Sequence, residues 1–128
     1  MIAGSPCSRR VLVVEDDRDI REAVAEVLED NAYQPVEAEN GAVALRRLRE
    51  GEPEPCLILL DVMMPVMDGF QFRREQEKDP ALAAIPVVLF TAHASVTPSS
   101  VGAVGVLKKP LDFDALLKLL EEYCGAAQ

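Results

Sequence analysis

Five short apolar runs punctuate the chain, at residues 11–14, 34–38, 56–60, 87–90 and 104–107, and stretches with helical spacing lie between them and after the last. Runs of near-continuous Val, Leu and Ile fit strands buried on both faces of a parallel sheet, whereas the second run is more polar and is expected at an edge. After the first run, Ile20, Ala23, Val24, Val27 and Leu28 recur at i, i+3, i+4, i+7 and i+8, which marks one apolar helix face. Asp17 or Asp19 is placed to cap that helix, Asn40 the next, and Asp112 a last helix whose inward face is Phe113, Leu116, Leu117 and Leu120. A third helix is predicted from near Asp68. Its apolar stripe is thin, because Phe70 and Phe72 give way to the polar run RREQEK, and weak anchoring is expected toward its end. Strands alternating with helices, joined by short loops, predict five βα units in one doubly wound sheet.

Composition narrows the function classes. A chain of 128 residues fits one domain, and 49% hydrophobic with 27% charged residues is an ordinary globular balance. The net charge of −9 argues against a surface for nucleic-acid phosphates, which calls for clustered Lys and Arg. The apolar runs are too short to span a bilayer and the start lacks a signal-peptide core, so a cytoplasmic location without membrane contact is expected. Residues 1–8 are expected to be flexible. Cys7, Cys56 and Cys124 have no CxxC or Cys/His spacing, so idle thiols are expected in place of a disulfide or a zinc site.

Chemistry gathers where the strands end. In an open parallel sheet ligands sit beyond the carboxyl ends of the strands. The first strand leads into Glu15, Asp16 and Asp17, the third into Asp61, the fourth into Thr91, and the fifth into Lys108 and Lys109. Carboxylates brought together there repel unless protonated or bridged by a cation. Mg²⁺ suits such a site, since it takes one or two carboxylates together with phosphate oxygens. An ionised Asp61 is then placed to attack phosphorus, with a lysine neutralising charge and Thr91 donating a hydrogen bond. Asp17 and Lys108 are read more plainly, as a helix cap and a solvated charge. His93 is read as an exposed loop histidine, and Met63, Met64 and Met67 as packing residues.

Five segments in order, VLVVEDD (11–17), LILLDVMMPVMDG (57–69), PVVLFTA (86–92), GA (102–103) and LKKP (107–110), resemble the receiver domains of two-component response regulators, chemotaxis-regulator-like, over nearly the whole chain. The resemblance implies a flavodoxin-like, three-layer α/β/α fold with strand order 2-1-3-4-5 and a receiver domain over residues 9–125 without an output domain. It implies a phosphoacceptor that is not a turnover enzyme, with Asp61 as the phosphorylation site. Asp16, Glu15, Asp61 and the backbone carbonyl of Met63 would hold Mg²⁺, Thr91 would follow the phosphoryl group, and Lys109 would contact it. Partners implied are a sensor histidine kinase or phosphotransfer protein, a downstream target or output domain, and a possible second copy of the chain. A cis Lys109–Pro110 bond is also implied, and Gly69 would sit at an unusual φ.

Two departures stand out. Val106 occupies the place of the family's switching aromatic, three residues before Lys109, and excludes an aromatic rotamer switch there. The segment HASVTPSSV (93–101) is about a helical turn short and contains Pro98, so the helix between the fourth and fifth strands is expected to be shortened or irregular. These departures motivate the alternative of an interaction module that works without phosphorylation. A phosphatase using an aspartate nucleophile would need a second acid two residues after Asp61, where Met63 stands. Dinucleotide binding would need a glycine-rich turn where the first strand leads into acids.

Overall fold

The computed structural model describes residues 9–50, 54–64, 66–92, 102–109 and 111–125. The elements run β1 (Arg10–Val14), α1 (Arg18–Asp30), β2 (Gln34–Ala38), α2 (Gly41–Arg49), β3 (Leu57–Asp61), α3 (Gly69–Lys78), α4 (Pro80–Ala83), β4 (Val87–Thr91), β5 (Gly105–Lys108) and α5 (Phe113–Cys124). All strand pairs are parallel, in the order β2-β1-β3-β4-β5. The polar β2 lies at the edge, as its composition predicts.

Alternation along the strands divides the core in two. Leu12, Val14, Ile58, Leu60, Val87 and Leu89 face one side, with Ala44 and Leu45 of α2, Phe72 of α3 and Leu82 of α4. Val11, Val13, Leu57, Leu59, Val88 and Phe90 face the other, with Val24 and Leu28 of α1 and Leu116 and Leu120 of α5. Because successive strand residues point to opposite faces, an apolar run of four or five residues supplies both cores at once. The expected α1 stripe is slightly rotated, with Ala25 buried and Ala23 exposed.

The caps are local and specific. Asp17 accepts from the Ile20 amide at 3.2 Å, Asn40 from Val43 at 2.9 Å and Asp112 from Ala115 at 3.2 Å. Asp68 and Gln71 exchange bonds in a capping box, at 2.9 and 3.0 Å. Each cap satisfies an amide that the helix itself leaves unpaired.

Four expectations are corrected. The end of α3 is anchored: Gln76 is wholly buried, and its Nε2 donates to the carbonyls of Leu82 (2.8 Å) and Ile85 (3.1 Å), so a polar residue ties α3 to α4. Gly69 does not adopt a positive φ; Val66 does, at 70°. Glycine is needed at 69 for space, because a Cβ there would lie 2.7 Å from the Asp61 carbonyl oxygen and 2.8 Å from Val62 Cα. The fifth strand starts at Gly105, and Val104 is exposed. Finally, Cys56 and Cys124 form a disulfide with Cα atoms 5.3 Å apart, a pair that 68 residues of separation hid from any reading of spacing. The flexible start, the segment 93–101 with His93, and the Lys109–Pro110 bond lie outside the described residues.

Candidate functional site

The carboxyl ends of β1, β3, β4 and β5 converge on one cluster. Oxygen atoms of Glu15, Asp16 and Asp61 all lie within 4.8 Å of one another, with Glu15 and Asp61 buried and Asp16 exposed. The backbone sets this up: β1 and β3 pair in register up to Val14 and Leu60, so the residues that follow them emerge side by side.

Each acid is held differently. Glu15 donates its amide to the Ala38 carbonyl (3.1 Å), and its Oε2 accepts from the Asp17 amide (3.0 Å). Arg21 reaches back from α1, donating Nη1 to the Glu15 carbonyl at 2.8 Å and pairing through Nε with Glu37 at 3.1 Å. Asp61 Oδ1 accepts from the Met63 amide at 3.2 Å. Lys109 Nζ lies 2.9 Å from Glu15 Oε1 and 3.5 Å from Asp61 Oδ2, while sitting 4.7 Å from the centre of the Phe90 ring. The Lys109 amide donates to the Thr91 carbonyl at 2.9 Å, which brings the lysine and the buried Thr91 to the same level of the sheet.

Two buried acids beside one lysine leave charge uncompensated. Burial pushes the Asp61 carboxyl up from 3.8 to about 7, helped by Glu15, while Lys109 and the Met63 amide pull the other way. Burial works against the charge on Lys109, but Glu15 and Asp61 outweigh it and raise its pKa. The ion pair with Lys109 is close yet poorly directed, and Glu15 Oε1 is buried without a hydrogen-bond donor. A Glu15 oxygen held only by the poorly directed Lys109 contact, an exposed Asp16 and a buried Asp61 bring carboxylate oxygens within 4.8 Å of one another, the kind of oxygen donors a hard divalent cation takes. The residues present fit Mg²⁺.

The sequence-predicted residues Glu15, Asp16, Asp61, Thr91 and Lys109 are thus gathered at one end of the sheet. The Met63 amide joins them while its side chain is exposed. Val106 is partly buried against the core on the α3 side. Sequence reasoning missed Arg21, one helical turn past the Asp17 cap, and Phe90, which offers its ring to Lys109. An apolar groove of about 270 Å³ beside Lys109 is lined by Ile20, Ala23, Val24, Phe90, Leu111 and Phe113.

Residues 11–121 match the response regulator receiver domain family. The chain belongs to that family. It is 44% identical over 107 residues to the phosphate regulon transcriptional regulatory protein PhoB of Escherichia coli, covering 80% of this chain and 46% of that protein, so the receiver spans about half of PhoB. It is 37% identical to the response regulator receiver protein CpdR of Brucella abortus, covering 93% of this chain and 99% of CpdR. Among solved structures, the receiver domain of the sensor histidine kinase PA1611 of Pseudomonas aeruginosa, with a magnesium ion coordinated in its active site cleft, matches with a TM-score of 0.81 at 25% identity, covering 91% of this chain and 98% of that one. Receiver domains of this fold serve two-component signalling. Among the described residues, no helix is long and apolar enough to cross a membrane.

Proposed function

We propose that this receiver accepts a phosphoryl group on Asp61 from a histidine kinase or phosphotransfer protein, with Mg²⁺ held by Glu15, Asp16, Asp61 and the Met63 carbonyl. The observation that carries the reading is the cluster itself: a buried aspartate at the end of β3, two further acids, a lysine and a threonine, all on one rim.

Asp61 in its ionised form presents an oxygen to phosphorus. The new O–P bond forms as the P–N bond to the donor imidazole breaks, and the imidazole nitrogen keeps the electron pair. Bound Mg²⁺ would supply positive charge against the transferring phosphoryl oxygens and favour the ionised acids. Lys109, whose Nζ lies 2.9 Å from Glu15 and 3.5 Å from Asp61, adds a second positive charge beside the acceptor. Thr91 follows the phosphoryl group through its hydroxyl. Val106 replaces the aromatic partner of that movement, so the response is carried by packing rather than by a ring swinging inward.

This makes the chain an acceptor that assists its own phosphorylation and dephosphorylation, not a turnover enzyme. It acts in the cytoplasm and signals to a downstream protein, an output domain or a second copy of itself. The net charge of −9 gives it no footing on nucleic acid. The test is incubation with Mg²⁺ and acetyl phosphate followed by intact mass. A gain of about 80 Da is expected, absent with EDTA and absent in Asp61→Asn. A folded protein that binds Mg²⁺ yet gains nothing from acetyl phosphate or a kinase would favour the phosphorylation-independent interaction module.

A further inference from the structure

The two ends of β3 carry different chemistry. Asp61 closes it, and Cys56, just before Leu57, opens it at the opposite rim, where it is bonded to Cys124 in the last turn of α5. That turn has weak support of its own. It contains no basic residue, and Glu121 and Glu122 stand where the helix dipole disfavours negative charge. What holds it is external. The Gly125 carbonyl accepts from Arg9 Nη1 at 3.2 Å and from the Tyr33 hydroxyl at 3.3 Å, and the Arg9 guanidinium stacks 4.0 Å above the Tyr33 ring. The disulfide is the one covalent tie among these.

We propose that Cys56–Cys124 is a reversible redox latch, which fixes the C-terminal turn of α5 to the foot of the sheet and opens by exchange with a low-molecular-weight thiol. The pair is built for both states. Cys56 is partly exposed while Cys124 is 3% exposed, so an incoming thiolate reaches the Cys56 sulfur. It forms a mixed disulfide there as the bond to Cys124 breaks, and Cys124 takes a proton. A second thiol then attacks the mixed disulfide, so two small thiols are oxidised to one small disulfide and the protein gains two electrons as two thiols. Once reduced, Cys56 has a partner waiting: its Sγ lies 3.2 Å from the Arg10 carbonyl oxygen, which can accept the S–H. Cys124 returns to an apolar cluster with Leu116 and Leu120, where a thiol is at home. In compartments kept reducing by thiols, a disulfide between otherwise idle cysteines is a sensing element more often than a structural one.

The latch acts on the helix that begins four residues after Lys109, so the redox state at one rim changes how firmly α5 is held below the acidic rim. Nothing in it depends on phosphoryl transfer.

The test equilibrates the whole chain in glutathione buffers from fully reduced to oxidised, quenches, alkylates with N-ethylmaleimide and reads intact mass and the linked peptide. Of the three cysteines, one label is expected when oxidised and three when reduced, with a reversible transition and the bond mapped to Cys56 and Cys124. Hydrogen exchange of amides 120–124 is expected to be about tenfold or more faster in the reduced protein. Cys56→Ser should exchange at the reduced rate in both buffers. Three labels at every poise, or a bond that maps to Cys7, would overturn the latch. So would equal exchange in oxidised and reduced wild-type protein, a comparison that needs no variant to fold.

Discussion

Replacing Asp61 with Asn keeps the shape of the side chain and deletes the carboxyl that burial and Glu15 hold up at about 7, against 3.8 for a free one. The consequence is a stability that depends on pH in a calculable direction. Between those two values the unfolded chain has released the proton while the folded one keeps it, so stability falls as pH rises and levels off above the folded value. At 1.36 kcal/mol per unit the full penalty is about 4 kcal/mol, of which about 2–3 kcal/mol develops between about pH 5 and about pH 8. Asp61 is buried but adjoins the exposed Asp16, so solvent screening brings the change toward the lower end of that range. Lys109 does not blur the window: its pKa is raised from 10.5, so its contribution is complete below that value and is lost only in alkali. Urea unfolding in EDTA at the two pH values is the assay. Wild type should lose about 2–3 kcal/mol on going up, while Asp61→Asn should show a nearly flat profile and exceed wild type at about pH 8. Added Mg²⁺ should restore much of the loss in wild type, since a cation favours the ionised acids. A flat wild-type profile, or a variant that is less stable than wild type at the higher pH, would refute the reasoning.

Other substitutions follow from single contacts. Gly69→Ala forces a Cβ to 2.7 Å from the Asp61 carbonyl and is expected to cost about 2–4 kcal/mol by urea unfolding and to slow phosphoryl acceptance by displacing β3's last residue. Val66→Gly should instead stabilise by about 1 kcal/mol, because a β-branched residue held at a φ of 70° and 81% exposed has strain to lose and little packing. Gln76→Ala strips the donor from two carbonyls and is expected to cost about 2–3 kcal/mol, with faster hydrogen exchange concentrated in α3 and α4. Lys109→Gln leaves the two buried acids without their cation. The midpoint of the metal-free pH profile should move above that of wild type, and acceptance from acetyl phosphate should slow by about a hundredfold.

The sheet was readable because it is covered on both faces: runs such as LILL and VVLF have few other homes in a small domain, and their polar successors Asp61 and Thr91 announced the functional rim. Caps were equally legible at Asn40, Asp112 and, as one of two candidates, Asp17, because a cap acts within three residues of itself; Asp68 was read only as the start of its helix. The missed features act across the fold. Gln76 looked like a solvated helix face, yet it is buried because the turn of α4 delivers carbonyls to it. That turn did have a signal, Asp79 as cap with Pro80 at the first helical position. Gly69 was read through φ alone, when its constraint is the closeness of β3. Arg21 and the Cys56–Cys124 pair depend on how α1 and α5 lie against the sheet, which no spacing along the chain records.

The most direct measurement of the central claim is to phosphorylate the protein with acetyl phosphate and Mg²⁺, reduce the acyl phosphate with borohydride, and map peptides by mass. The account predicts homoserine at position 61, a loss of about 14 Da in the peptide that carries Asp61 and in no other. Phosphate retained on His93 or another side chain, with position 61 unchanged, would contradict it.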